Sequence, residues 1–384
     1  MNETSSASLQ EKCQQIISQL ISESGHLATI SIGNDQIQLN QLDQTILEIP
    51  STGVAAPRPI SKRQVLQYFV LIAPKLLPLL KDRPITVKSY PDGLSGPATT
   101  QGHFSAWPEF VETVEMYSEY SGDNEQFVLC QNLQTLLWLV NQNVLEIYPW
   151  QSKITPDDTK LPTIFINSSG TLEMSVANYP DLMVFNLSPS QNAALQDLST
   201  TTELFDVVDQ ENRQQSSTGI WEKVKESAVI LQEYLSALGI SNTFIKTSGR
   251  GGLHVVVPLI RTHTYDRVKQ TAHQIGQQLV AQQPDLLTME WQLNNREGKV
   301  FIDCGQNVRN KSVIAAYCLR PNRLGAISMP VAWKELEHLQ TKTYTITSIL
   351  EAIEDIQNGH EPSLIGNPWQ KLFKNPQMLP DILD

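Results

Sequence analysis

Paired cysteines, long apolar runs and an excess of positive charge are all missing from this 384-residue chain. Its four cysteines, Cys13, Cys130, Cys304 and Cys318, are scattered and show no C-x-x-C spacing. That excludes a disulfide framework or a cysteine-based zinc site and suits reduced thiols in a cytoplasmic protein. No apolar run approaches the length of a membrane span. Met1 to His26 lacks the basic and apolar regions of a secretory signal. With 28 Lys and Arg against 40 Asp and Glu, the net charge is −12. Such a balance excludes a protein whose whole surface binds nucleic acid. There is no internal repeat.

Charge is nevertheless uneven. Between Phe244 and Gly325 there are 11 basic and 5 acidic residues, so the remainder carries a net charge of −18. A local basic segment in an acidic chain suits a confined anion site. The same segment contains the most distinctive stretch, Phe244 to Leu259, which reads as strand, glycine-rich loop and strand. Gly249, Gly251 and Gly252 permit positive φ and close approach of a ligand. Their amides can form an anion-binding nest, and Arg250 adds a fork of donors. His254 begins the second strand. A plain glycine-rich hairpin with a half-buried histidine fits the same residues.

Around this centre the pattern predicts mixed α/β (α+β) layers. A helix spans Leu9 to Ser22, and a hairpin turns at Gly33 to Asp35. A loop covers Ile49 to Pro59. Ser61 and Gln64 form a capping box for a helix that Pro74 should kink or stop. Strands are expected at Ile85 to Ser89, Thr163 to Ile166, Leu182 to Leu187, Lys299 to Asp303 and Val313 to Leu319. Helices are expected at Leu133 to Asn141, Ile220 to Leu238, Tyr265 to Val280, Val331 to Leu339 and Ile346 to Ile356. The polar stretch 191–217 has the composition of a mobile connection.

In this order the segments resemble the primase–polymerase domain of bacterial ATP-dependent DNA ligase D, within the archaeo-eukaryotic primase superfamily. The resemblance rests on Thr86 to Gly93, Gln101 and His103, Leu136 to Leu139, Ile147 to Trp150, and Pro180 to Pro189. It continues through Lys246 to Gly249 with Gly252 to Val255, then Phe301 to Asp303, Asn307, Tyr317, Leu319-Arg320 and Pro330 to Leu336. It covers about Ile30 to Phe373. It implies central β-sheets flanked by helices, with 1–25 as a polar segment and helix before a domain at 26–375. That domain divides into lobes at 26–160 and 161–375.

The resemblance further implies chemistry on a nucleoside triphosphate at DNA ends, with Mg²⁺ or Mn²⁺ held by three aspartates. Such metals need oxygen ligands and compensating charge. Here two of those positions are Asn186 and Ser188, and Asp303 alone keeps its carboxylate. Tyr148 stands where the family has histidine, and Gly251 where it has lysine, with Arg250 beside it. Thr99 and Thr100 replace two DNA-facing aromatics. By resemblance Ser248, Arg250, His254 and Arg320 face the nucleotide, and Lys88, Gln101 and His103 face nucleic acid. The departures point to a stand-alone, catalytically impaired member that keeps weak nucleotide or DNA-end binding, with a ligase or Ku-like repair protein as separate partners. Two other readings stand beside it. One is an active nucleotidyltransferase with a metal site rebuilt through Asp181 or Glu173. The other is an interaction scaffold that uses its acidic surface.

Overall fold

The computed structural model describes residues 3–50, 56–102, 104, 106–118, 121–155, 175–189, 210–322, 324–357 and 366–380. A helix, a hairpin, a second strand pair and a second helix open the chain. Helix α1 (Glu3–Ser22) turns Cys13, Ile16, Ile17 and Leu20 inward. The hairpin β1 (Ala28–Ile32) and β2 (Asp35–Leu39) alternates buried and outward residues as its sequence alternates. Strands β3 (Thr45–Ile49) and β4 (Arg58–Ser61) form a further pair that flanks the expected loop and overlaps it only at Ile49, Arg58 and Pro59.

Ser61 and Gln64 form the expected capping box at the start of α2 (Lys62–Leu80). Pro74 does not stop this helix, and Pro78 follows it inside. An interior proline costs ~3 kcal/mol through its lost hydrogen bond and ring clash. Ile72, Leu76, Leu77 and Leu80 are all buried on the same helix, at ~1.5–3 kcal/mol each, so packing outweighs the break. Helix α3 (Leu133–Asn141) packs on α2, with Asn132 accepting from the Thr135 amide as N-cap.

Two sheets follow. In the first, β6 (Thr99–Gln101), β5 (Pro84–Ser89), β8 (Asp123–Leu129) and β7 (Glu112–Ser118) lie in that order, and β9 (Val144–Pro149) also pairs with β5. The second has six strands in the order β13 (Leu287–Thr288), β14 (Val300–Asp303), β10 (Leu182–Pro189), β12 (Leu253–Pro258), β11 (Phe244–Thr247) and β15 (Pro330–Val331). One face of this sheet carries Met183, Phe185, Leu187, Ile245, Leu253, Val255, Val257, Val300 and Ile302. It is covered by α4 (Gln210–Ala237) and α5 (Tyr265–Gln282). Helix α4 starts ten residues before Ile220, so residues 210–217 are helical rather than part of a loose connection. Residues 191–209 and the strand expected at Thr163 to Ile166 lie outside the described residues.

Two expected elements are shorter than their patterns. Val313 to Leu319 is not a continuous strand. The amide of Ala315 donates to Ile147 of β9, but Tyr317 at φ +67° breaks the extended run. The helix expected over Val331 to Leu339 contracts to one 3₁₀ turn at Trp333–Glu335. Its backbone bonds run from residue i to i−3, with the amides of Glu335, Leu336 and Leu339 donating to Ala332, Trp333 and Leu336. The last carbonyls, which no helix of this length could satisfy itself, are met from outside. Lys225 Nζ donates to Glu337 and Trp221 Nε1 to Leu339, both from α4. Helix α6 (Ile346–Gln357) packs on α2, so residues near the C-terminus complete the first core.

The four cysteines are buried and free. Among the described residues, no helix is long and apolar enough to cross a membrane.

Candidate nucleotide site

The face of the six-stranded sheet opposite α4 and α5 carries the predicted site. Register places Asp303 beside Asn186, Asn186 beside His254, and His254 beside Lys246. Directly paired residues in neighbouring strands share a face, so these four form a row across β14, β10, β12 and β11. Ser188 and Phe301 form the adjoining pair on the same face. The local reason is the alternation of β10, where Met183, Phe185 and Leu187 must point into the helical core. Asn307 holds the strand beyond the end of β14. Its side chain accepts from the Val184 amide and donates to the Val184 carbonyl, both at 2.8 Å.

The two ends of the row differ. At one end, Ser188 Oγ donates to Asn186 Oδ1 at 3.1 Å. Asp303 Oδ1 accepts from the Gly305 amide and Oδ2 from Gln306 Nε2, each at 2.8 Å. Both oxygens of the one carboxylate in the row are thus already engaged. Among the described residues no group of three or more His, Cys, Asp or Glu side chains converges as a metal site requires. Neutral Asn186 and Ser188 beside one occupied carboxylate do not fit a pair of hard divalent ions.

At the other end lies a buried amine. Lys246 Nζ is 2.8 Å from His254 Nδ1 and donates to Ser328 Oγ at 2.6 Å. Burial, then repulsion by Arg320, hold the Lys246 pKa well below the ordinary lysine range. Burial, then Lys246 and Arg320, hold His254 well below the ordinary histidine value. The histidine is buried and already satisfied by a neighbour, rather than half exposed.

The glycine-rich loop is shaped by its neighbours. Gly249 has φ +71°, and a Cβ there would lie 2.4 Å from Arg320 Cγ. A Cβ at Gly252 would lie 2.5 Å from the Leu187 carbonyl oxygen. Ser248 Oγ accepts from the amides of Arg250 and Gly252 at 3.1 and 3.0 Å. The loop's nest is therefore filled by its own hydroxyl.

Arg320 and Arg250 reach toward β9. Glu146, completely buried there, lies 3.4 Å from Arg320 Nη1 and 3.5 Å from Arg250 Nη2. The Tyr148 hydroxyl donates to Glu146 and accepts from Arg320 Nη1 at 2.8 Å. Burial raises the Tyr148 pKa, so the phenol keeps its proton. Lys88 Nζ stands 5.8 Å from the centroid of the Tyr148 ring. The structure thus brings Lys88, Arg250, Arg320 and Ser248 to one junction between the two sheets. Sequence reasoning missed Glu146. Its signal was its position two residues before Tyr148 on one strand, which puts both side chains on the same face.

Gln101 lies apart from this cluster, in a cleft of about 1300 Å³ lined also by Thr86, Thr100, Phe104, Trp138 and Asn143. Glu125 is the one charged side chain among its described lining residues. His103 lies outside the described residues. Asp181, the acid considered for a rebuilt metal site, is buried against Arg83 at 2.5 Å. It stands five residues from Asn186, or ~16 Å along a strand. Glu173 lies outside the described residues.

A mixed sheet, antiparallel except where β13 meets β14, bears a polar row, is backed by two helices and meets a second sheet at an arginine–carboxylate cluster; the fold is that of a ligase D-type primase–polymerase domain. The polymerase domain of Mycobacterium tuberculosis ligase D in complex with DNA shares the fold, with a TM-score of 0.65 and 21% identity over 88% of this chain and 99% of that one. The family model described as "LigD, primase-polymerase domain" matches residues 61–212 and 215–360, and the chain belongs to that family. Curated relatives include the bifunctional non-homologous end joining protein LigD of Bacillus subtilis, 26% identical over 89% of this chain. The multifunctional LigD of Pseudomonas aeruginosa is 25% identical over 79% of it. The chain spans 45% and 30% of their respective lengths.

Proposed function

We propose that this ligase D-type domain, linked by its family to non-homologous end joining, binds nucleotide or nucleic acid but is impaired in metal-dependent nucleotidyl transfer. One observation carries this reading. The row that the family uses for metal offers Asn186, Ser188 and an Asp303 whose two oxygens already accept hydrogen bonds. Charge at such a site is the main electrostatic contribution to phosphoryl transfer, so its loss removes the largest catalytic effect. Mg²⁺ or Mn²⁺ would be required for any residual activity. The pairing of Asp181 with Arg83 argues against that acid rebuilding the site. The surviving arginines and Ser248 support retained binding of a phosphate-bearing ligand. A ligase or a Ku-like end binder is the class of partner that end joining supplies.

DNA binding should be weak, because the cleft holding Gln101 has no cation among its described lining residues. Phosphate contacts dominate affinity for DNA. The test is primer extension on gapped DNA with all nucleotides and Mn²⁺, beside an Asp303→Ala control. Absent extension with preserved binding is the expected result. Extension that vanishes in the control would overturn the impairment.

A further inference from the structure

The observations around Glu146 go further, resting on the nucleotide-binding reading above, and define the ligand by charge. The cluster contains three cations, Lys88, Arg250 and Arg320, and one carboxylate, Glu146. Two positive charges remain after the internal ion pairs. Lys246 lies behind the cluster, its amine engaged by His254 and Ser328. Arg250 is about half exposed, at 46%, and gives the cluster a route to solvent. Arg320 is nearly enclosed, yet its Nε–H has no acceptor among the described residues. An unpaired buried donor is destabilising, and a ligand oxygen would satisfy it.

A phosphate monoester carries about −1.5 to −2 charges at neutral pH, which matches the cluster. A triphosphate carries more than the cluster offsets unless a divalent metal accompanies it. The Asn186, Ser188 and Asp303 end of the row does not provide for that metal. We propose that Lys88, Arg250 and Arg320 form a metal-independent site for a phosphate monoester, and that Glu146, fixed by Tyr148, limits the charge the site accepts. Glu146 orients both guanidinium groups while withholding one unit of positive charge from the ligand. Arginine forks suit phosphate oxygens in this role.

The experiment is calorimetric titration of the full chain in EDTA with a nucleoside monophosphate, inorganic phosphate and a nucleoside triphosphate, then with the triphosphate plus Mg²⁺. The monophosphate should bind in EDTA and be unaffected by Mg²⁺. Arg320→Gln should weaken it about tenfold or more, the loss of a charge-assisted contact. Glu146→Gln should raise affinity for the metal-free triphosphate by about tenfold, since the withheld charge is released. Tyr148→Phe keeps the ring and should shift affinity the same way by less, which preserves the test if Glu146→Gln fails to fold. Oligonucleotides with and without a 5′-phosphate distinguish a strand end from a free nucleotide as the source of the monoester. Binding confined to the Mg²⁺–triphosphate would overturn this inference and leave the nucleotide-binding reading standing. No binding of any nucleotide or DNA would overturn both.

Discussion

The two ends of the polar row have diverged in different ways. Near Lys246, the surrounding network is dense, with an amine, an imidazole, a serine, two arginines and a buried glutamate all paired. Near Asp303, there are two short neutral side chains and one carboxylate closed on its own turn. Both ends stand on the same sheet, so the contrast does not come from loss of the scaffold. The first end bridges two sheets, and its polar groups hold the molecule together. The second faces outward from β10 and β14, where changing Asp to Asn or Ser removes charge without opening a cavity. One sheet thus carries a densely paired half that ties it to its neighbour and a sparsely charged half that does not.

The largest test of this contrast is to restore the lost charge. Asn186→Asp with Ser188→Asp should create Mn²⁺ affinity, raising it by about a hundredfold or more, because hard cations need carboxylate charge. Calorimetry would show the gain. An unchanged affinity would mean that the Asp303 turn, and not the missing acids, closes the site.

Breaking the other end should cost stability. Gly249→Ala places a methyl 2.4 Å from Arg320 Cγ at a left-handed backbone position. A loss of about 1–3 kcal/mol is expected in denaturant unfolding. Little change would show that Arg320 is free to move and that the junction is loose.

The buried amine predicts a pH dependence. The folded Lys246 pKa is depressed, so the unfolded chain binds a proton that the folded chain releases. Stability then rises with pH between the depressed value and the ordinary lysine value of 10.5. Below the ordinary lysine value, Lys246→Met should flatten that slope, toward a limit of about 1.4 kcal/mol per pH unit for one proton. His254 acts below this window. Burial pushes the thiols upward from 9.0, to about 12 at Cys13 and Cys318, so they oppose the trend above it. Lys62, lowered by burial to about 8, adds a parallel rise only from there upward. An identical slope in Lys246→Met would contradict the neutral-amine account.

The smallest effect concerns DNA. Gln101→Lys, in the cleft, should tighten single-stranded DNA binding modestly and steepen its salt dependence by about one counterion. A steep salt slope in the unaltered protein would instead reveal a basic path elsewhere.

Much of this was legible in the sequence because it depended on local pattern. The alternation of Leu182 to Leu187 fixed which face Asn186 takes, and the capping residues Ser61 and Gln64 fixed where a helix begins. The strand register that lines up Asp303, Asn186, His254 and Lys246 depends on non-local pairing, which no window of sequence contains. That α2 runs on past Pro74 depends on its buried neighbours, a tertiary quantity that local pattern does not contain. The run after Val331 has helical spacing, but its backbone closes in i to i−3 bonds and its end is anchored by Trp221 and Lys225 of α4, which local pattern does not reveal. For Glu146 the sequence offered only its shared face with Tyr148, because its arginine partners lie 104 and 174 positions away.

The central claim is that the row no longer holds a catalytic metal pair. Electron paramagnetic resonance of Mn²⁺ titrated into the unaltered protein, with and without nucleotide, tests it most directly. The account predicts a free-ion spectrum unchanged by Asp303→Ala. Stoichiometric Mn²⁺ capture that Asp303→Ala abolishes would contradict it.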